Sequence, residues 1–149
     1  RVAIQNAMVG VALGLAPFGA CVVKEGTVVS CAHSHVWSSG DITAHAEVQA
    51  IREACARLQS VNLAGSTVYS TCEPCPMCFS ACHWARISNI VFGARIEDAQ
   101  RLGFHELSIS TRVMKELGRS EVELWGDCLR EANLELFTAW LKRTDRRTY

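Results

Sequence analysis

The chain has no excess charge of either sign, few prolines and no long apolar run. Its 149 residues include 15 basic, 15 acidic and only 3 proline side chains, so the formal net charge is zero. Nucleic-acid binding domains usually carry a basic excess on at least one face, so this balance disfavours a polynucleotide partner. The only dense basic cluster is the short C-terminal set Lys142, Arg143, Arg146 and Arg147. No apolar run approaches the roughly 20 residues that a membrane-spanning helix needs, which argues against a membrane protein.

The overall composition is that of a globular domain. Hydrophobic residues make up 49% and charged residues 20%, which excludes intrinsic disorder. The length predicts a single domain over residues 1–149. The first residue is arginine, not methionine, so we expect N-terminal sequence to be missing. There are 8 cysteines. Several cluster near residue 75 and others lie among apolar neighbours, which argues against a disulfide scaffold and predicts a reducing cytoplasm.

Strand and helix signals alternate along the chain. A first helix ends near residues 14–17, and its apolar stripe has helical spacing: Ile4, Met8, Val11 and Leu15. Two apolar runs on either side of Glu25-Gly26 predict a β-hairpin. Asp41 or Thr43 can cap a second helix with the buried stripe Val48, Ile51, Cys55 and Leu58. A third helix opens at residues 74–76 and the last spans about 126–142, with further strands at 67–70, 87–92 and 121–124. This alternation predicts a three-layer α/β/α sandwich.

Two short segments carry metal-site chemistry, His45-Ala46-Glu47 and residues 74–78. Cys75 and Cys78 are three apart at a helix start, so they point to one side, where free N–H groups and the helix dipole favour thiolates. With His45 they supply three zinc ligands and leave the fourth position open, as in catalytic sites. Glu47 is offset by about 200° from His45 on a regular helix and would carry protons instead of ligating. The backbone N–H of Ala46 is a candidate donor to the oxygen that the metal activates.

An iron–sulfur cluster is the competing interpretation of the cysteines. Cys72, Cys75, Cys78 and Cys82 reproduce the spacing of a bacterial ferredoxin run. That run ends in Cys-Pro, whereas His83 follows Cys82, and no second run is present. Each zinc segment alone is a weak signal, but the two together, each opening a helix, favour zinc. Cys72 is then a strand end and Cys82 a core residue.

The two segments resemble a known family. Residues 43–47 together with residues 72–78 resemble the cytidine deaminase-like superfamily, whose zinc deaminases carry H-x-E followed by P-C-x-x-C. Residues 16–20, 103–104 and 137–140 and the terminal Tyr149 are similar to bacterial guanine deaminases. The resemblance implies an α/β fold with a central mixed five-stranded sheet and one Zn²⁺ per subunit. It implies hydrolytic loss of an amino group from a ring carbon, most simply conversion of guanine to xanthine and ammonia. It also implies a homodimer whose exchanged C-terminal segments would bring Tyr149 to the partner's site.

Two departures from the family pattern concern the substrate. Ser34 stands where the family usually has an asparagine that contacts the base, and His105 and Glu106 stand where the guanine enzymes have two aspartates. Glu106 keeps the acceptor charge but reaches one methylene further, and it is our main candidate for substrate selection. The other candidate substrate contacts are Ser34, His35, Ala46, Phe18, Trp84, Phe104, His105 and Tyr149. Roles without any part in binding also stay open: His35 as a surface residue, His105 and Glu106 in a solvated loop, Phe18 and Trp84 as core aromatics, and Tyr149 at a frayed chain end.

The expected partner is therefore a free nucleobase or a small amino-heterocycle. Alternative substrates are cytosine, guanosine, another aminopurine or pterin, an aminotriazine and, with least support, adenosine in tRNA. Two other classes also stay open, a non-catalytic zinc fold that serves as a binding module and an electron-transfer protein.

Overall fold

A five-stranded mixed sheet forms the centre of the structure, a computed structural model that describes residues 1–149. The strands are β1 (Gly19–Lys24), β2 (Thr27–His33), β3 (Ser66–Cys72), β4 (Asn89–Ala94) and β5 (Glu123–Trp125). The helices are α1 (Val2–Ala12), α2 (Val36–Ser39), α3 (Ala46–Leu58), α4 (Pro76–Trp84), α5 (Ile96–Arg101), α6 (Thr111–Gly118) and α7 (Arg130–Leu141).

The order of strands across the sheet is β2-β1-β3-β4-β5. The predicted hairpin is present, since β1 pairs antiparallel with β2 through a turn in which Glu25 and Gly26 both have positive φ. Strand β1 is also antiparallel to β3, whereas β4 is parallel to both β3 and β5. The predicted mixed five-stranded sheet is therefore confirmed.

Helices cover both faces of the sheet. Helices α1 and α7 pack on one face, while α3 and α4 pack on the other and α6 lies beside α4. Two groups of buried side chains correspond to these layers, one around Val68 and Ile90 and the other around Leu136 and Trp140. The three-layer prediction is confirmed. No helix combines the length and the apolar character needed to cross a bilayer.

Small residues form much of the buried faces of α1 and α3, so the predicted stripes are confirmed only in part: Val11, Leu15 and Ile51 are buried, whereas Met8 and Leu58 are exposed. Helix α1 buries Ala3, Ala7, Gly10 and Val11, whereas Met8 is 43% exposed. A Cβ atom on Gly19 would lie 2.9 Å from the Ala7 backbone nitrogen, so α1 lies almost directly on β1. Helix α3 likewise buries Ala46, Glu47, Ala50, Ile51 and Ala54, and leaves Leu58 exposed. Close approach of a helix to a sheet selects small side chains, which a search for large apolar residues overlooks.

Two helix starts also differ from the predictions. Helix α3 has His45 at its N-cap, while the Asp41 carboxylate accepts hydrogen bonds from the Thr43 N–H (2.8 Å) and hydroxyl (2.6 Å) in the preceding turn. Helix α7 begins at Arg130 and not near residue 126, because Asp127 and Leu129 have φ of 60° and 50°, outside the helical region. The four-residue α2 was not predicted.

One cysteine pair contradicts the expectation that disulfides are absent. The register of β1 and β2 places Cys21 opposite Cys31, with their Cα atoms 4.1 Å apart, and the two sulfurs form a disulfide. Opposite residues on neighbouring antiparallel strands have closely spaced Cβ atoms. Strand register brings these two residues together, and their ten-residue separation in sequence does not reveal it.

Candidate metal centre and active site

Two helix N-termini meet beside the C-terminal end of β3. His45 is the N-cap of α3 and Cys75 is the N-cap of α4, and both have extended backbones. Cys78 lies in the first turn of α4, which Pro76 opens at the position where proline is favoured. Strand β3 ends at Cys72, so the short connection to Cys75 delivers the start of α4 to this edge of the sheet.

The three side chains that we predicted as metal ligands are brought together. The His45 Nδ1 atom lies 3.5 Å from Cys78 Sγ and 3.7 Å from Cys75 Sγ. All three ligand atoms lie within 4.8 Å of one another. A tetrahedral zinc ion, with Zn–S near 2.3 Å and Zn–N near 2.0–2.1 Å, requires a sulfur–nitrogen separation of about 3.6 Å. The donor set and its spacing therefore fit zinc, with three protein ligands and one open position.

The charges of these groups suit metal binding. The pKa of Cys75 is lowered to about 4, chiefly because the Cys78 thiol donates a hydrogen bond to it and secondly because His45 is nearby. The same hydrogen bond, together with burial, raises the pKa of Cys78. Burial opposes a charged His45, but its hydrogen bond with Cys75 and the neighbouring negative charges raise its pKa overall. The group therefore holds a thiolate that is ready to ligate, and a bound cation would take over the role of the protons.

Glu47 lies next to the ligands without being one of them. Its side chain is buried, with Oε1 accepting a hydrogen bond from the Ser70 hydroxyl at 3.0 Å and Oε2 lying 3.4 Å from Cys78 Sγ. Burial and the negative charge of Cys75 raise the pKa of this carboxyl group. A carboxyl group that is oriented by Ser70 and can accept a proton is suited to general acid–base work.

Aromatic side chains and the chain terminus surround the same point. Phe104 is buried and lies against Phe18, with ring centroids 4.8 Å apart, and against Tyr149 at 5.2 Å. The Tyr149 ring lies 5.3 Å from that of His45, and its hydroxyl is 3.3 Å from Ser34 Oγ. Burial raises the pKa of this tyrosine, so the phenol is neutral. Phe18, Ser34, Phe104 and Tyr149 are thus gathered beside the candidate ligands.

The loop after Phe104 contributes the remaining candidates. The side chain of His105 is exposed, whereas its backbone N–H donates to the Tyr149 carbonyl at 2.9 Å. Glu106 is half-buried, and burial, followed by the charges of Cys75 and Glu47, raises its pKa to about 7. The charge of His45 opposes this shift. The charges of Cys75, His45 and Glu47 thus act on the Glu106 carboxyl group.

The two remaining candidates are His35 and Trp84. The His35 ring stacks on His33, with centroids 4.5 Å apart, and burial followed by the neighbouring His33 lowers its pKa. Trp84 is 83% exposed and lines a groove at the starts of β4 and β5. It follows Cys75 by nine residues, which places it about 13 Å away along α4. The structure therefore corrects the prediction that Trp84 lines the pocket.

The four cysteines of the ferredoxin-like spacing do not converge. The Cys72 thiol donates to the Arg95 carbonyl at 3.4 Å, and Cys82 is buried in the core beneath α4. Only Cys75 and Cys78 join His45 in the candidate metal group. The arrangement does not form a four-thiolate site.

The terminal segment reaches the site of its own chain. Tyr149 contacts Ser34, His45, Phe104 and His105 within the single chain. The homodimer and the exchange of C-terminal segments stay predictions.

Sequence reasoning missed two residues that orient this site. Ser70 holds Glu47, and Glu73 accepts hydrogen bonds from the Thr111 N–H and hydroxyl, both at 2.8 Å, which tethers the start of α6 to the loop before Cys75. The available signal was the run of polar residues around Ser70 and Glu73 at the end of strand β3, because strand ends and helix starts lie together there.

Comparison with known proteins identifies related chains. Residues 1–94 match the family model described as the cytidine and deoxycytidylate deaminase zinc-binding region. The guanine deaminase of Bacillus subtilis is 36% identical over 148 residues, covering 99% of this chain and 94% of that protein. Its X-ray structure aligns with a TM-score of 0.67.

Two further relatives extend the comparison. A tRNA-specific adenosine deaminase of Aquifex aeolicus is 45% identical over 94 residues, which cover 63% of this chain and 62% of that protein. A second relative is the protein chain in a crystal structure of a mutant in complex with 8-azaguanine. Its sequence is 26% identical to this chain, and the two structures align with a TM-score of 0.86 over 93% of this chain and 79% of that chain.

Proposed function

This chain belongs to the zinc-binding cytidine and deoxycytidylate deaminase family, and from that membership we propose that it hydrolyses guanine to xanthine and ammonia. The family makes it a zinc-type deaminase, a hydrolase that acts on C–N bonds of a small heterocycle. Guanine is supported by the Bacillus subtilis relative, which is matched over nearly the whole of both chains.

One observation favours a free base over a polynucleotide as the substrate. The ring of Tyr149 lies 5.3 Å from the His45 ring, and its hydroxyl is 3.3 Å from Ser34 Oγ, so the chain's own terminus covers the metal ligands. A base attached to a nucleic acid would have to displace this cover, whereas a free base can be enclosed beneath it. The zero net charge supports the same choice.

The proposed chemistry assigns a task to each group. His45, Cys75 and Cys78 would hold the zinc ion, which when bound would supply Lewis-acid activation of a water nucleophile. The Glu47 carboxylate accepts the proton of the attacking water and delivers it to the ring nitrogen beside the reacting carbon. Glu47 then takes the remaining proton from the hydroxyl group added to the ring carbon and delivers it to the amino group, so that the C–N bond breaks, the C=O bond forms and ammonia leaves. Ser70 keeps Oε1 of Glu47 oriented throughout.

Substrate recognition falls to the opposite side of the pocket. The Glu106 carboxylate accepts hydrogen bonds from the amino and ring N–H groups of guanine. The Ala46 N–H at the free N-terminus of α3 is available to the attacking oxygen. Phe104 and Tyr149 supply apolar walls that exclude water. A site that pairs specific N–H groups discriminates strongly against rings that lack them.

Deamination of adenosine in tRNA is the second candidate. It is favoured by the 45% identity to the Aquifex aeolicus enzyme, although that match covers only 63% of this chain. The other heterocycles and the non-catalytic binding module have no observation that favours them. The homodimer, the cytoplasmic location and the single-domain organisation also stay predictions.

The decisive experiment measures ammonia release by the purified zinc-loaded protein. Guanine, guanosine, cytosine, adenine, a pterin, an aminotriazine and an anticodon stem-loop RNA are compared at matched concentrations, with Glu47→Gln protein as the blank. We expect turnover of guanine above that of every other compound. Guanine left intact while another ring is deaminated would refute the substrate, and silence from all compounds with zinc bound would support the binding module.

A further inference from the structure

A contact outside the pocket bears on how the terminus covers the metal ligands. The last helix ends at Leu141, and residues 142–149 run back to the site. Near its start this terminal segment is tied down by Arg143, whose guanidinium pairs with Asp145 and donates to the Ala12 carbonyl. Near its end, the guanidinium carbon of Arg147 lies 4.4 Å from the centre of the Trp37 ring. That distance is within the range of a cation–π contact.

The contact of Arg147 with Trp37 and the contact of Tyr149 with Ser34 both join the terminal segment to the start of α2. Arg147 and Tyr149 are two residues apart on the terminal segment, and their partners Trp37 and Ser34 are three residues apart at the start of α2. Helix α2 is short but anchored at its start, because the Ser34 N–H donates to the Phe18 carbonyl at 3.0 Å, the His35 N–H donates to the Ala44 carbonyl at 2.9 Å and Val36 is buried. Because α2 is anchored, the contact between Arg147 and Trp37 can hold the contact between Tyr149 and Ser34 in place.

We propose that Trp37 and Arg147 are positioning residues that keep Tyr149 over the metal ligands by a cation–π latch between α2 and the terminal segment. The inference rests on the proposed function, for which Tyr149 supplies a wall of the substrate pocket. Neither residue touches the metal ligands. The Trp37 side chain is 37% exposed and Arg147 is exposed, so the latch acts only through the position of Tyr149.

The size of the effect follows from the type of contact. Partly exposed cation–π pairs shift an equilibrium by about two- to fivefold. Loss of the latch should therefore raise the population of chains with Tyr149 displaced by the same factor. For the enzyme, KM for guanine rises only as far as the closed form loses population, so it changes little while that form dominates, and kcat stays the same or rises because product leaves more easily.

The test uses a chain of residues 1–149 and measures release of its last residue, Tyr149, by a carboxypeptidase that prefers aromatic C-terminal residues. Release reports the open population when opening and closing are faster than cleavage. We compare zinc-loaded wild type, Trp37→Leu, Arg147→Gln and the double variant. Each rate is divided by the rate for a free peptide with the same last six residues. Trp125→Leu is the matched control, because Trp125 is 60% exposed on β5 and belongs to neither contact.

The expected result is release about two- to fivefold faster from Trp37→Leu and from Arg147→Gln, with no further increase in the double variant. Release from Trp37→Leu no faster than from Trp125→Leu would overturn the latch, and so would additive effects in the double variant. The thermal midpoint checks that each variant is folded. If Trp37→Leu is unstable, Arg147→Gln alone tests the latch, because Arg147 is exposed and its replacement leaves the core intact. This readout needs no turnover, so failure of the latch and failure of the guanine assignment are told apart.

Discussion

Replacing Glu47 with glutamine isolates the proton-transfer role from the architecture. The amide has the shape of the carboxyl group, and its oxygen can still accept the hydrogen bond that Ser70 donates at 3.0 Å. Glutamine cannot carry a proton between water, ring nitrogen and leaving amine. The three metal ligands are untouched, so we expect Glu47→Gln to fold and to bind one zinc per chain.

The expected loss can be worked out from the task assigned to Glu47. General acid–base catalysis by a positioned side chain contributes about 10²- to 10⁴-fold in rate, equivalent to about 3–5 kcal/mol of barrier. We therefore expect kcat to fall by two to four orders of magnitude while KM changes little. Ser70→Ala is the graded control, because it keeps the carboxylate and removes one orienting hydrogen bond. A net loss of about 1 kcal/mol there corresponds to roughly a fivefold lower kcat.

The assay is steady-state ammonia release from guanine, with zinc content measured on the same samples. A Glu47→Gln protein that keeps more than a tenth of the wild-type kcat with a full complement of zinc would refute the role of Glu47. Loss of zinc in the variant would show instead that Glu47 acts through metal binding.

Three further predictions follow from other parts of the structure. Burial raises the pKa of Glu106, so its carboxylate is lost as the pH falls through the raised pKa, and KM for guanine should rise at low pH in wild type but not in Glu106→Gln. Removing zinc with a chelator should abolish turnover and lower the thermal midpoint, with about 2.7 kcal/mol regained at 100 times Kd, and Cys75→Ala should show no such response to zinc. In urea titrations Gly19→Ala should destabilise by about 1–3 kcal/mol, because its Cβ would press on Ala7, whereas Gly118→Ala, with nothing within 4 Å, should not.

Local chemistry explains why much of the site could be predicted. His45, Cys75, Cys78 and Glu47 belong to two short segments, and the geometry of a helix start determines where their side chains can point. A proline after Cys75 marks that helix start in the sequence itself. The alternation of strand and helix signals likewise predicted the layers, since each signal depends only on nearby residues.

Prediction failed where packing distance or strand register decided the outcome. The buried faces of α1 and α3 consist mainly of alanine and glycine because the helices lie close to the sheet, and large apolar residues such as Met8 remain outside. The pairing of Cys21 with Cys31 depends on the register of the hairpin. Trp84 does not line the predicted pocket, because α4 places it beside the starts of β4 and β5, at the other end of the strands from the metal ligands.

The sequence by itself determined the ligand types, the proton carrier and the alternation of elements, because these depend on residue identity and on spacings of a few positions. Only the tertiary structure decided what surrounds them. Ser70 reaches Glu47 across 23 positions and Tyr149 reaches Ser34 across 115, and no short-range pattern encodes such contacts. They exist because the sheet brings strand ends and helix starts to one edge and because α7 directs the chain terminus back over it.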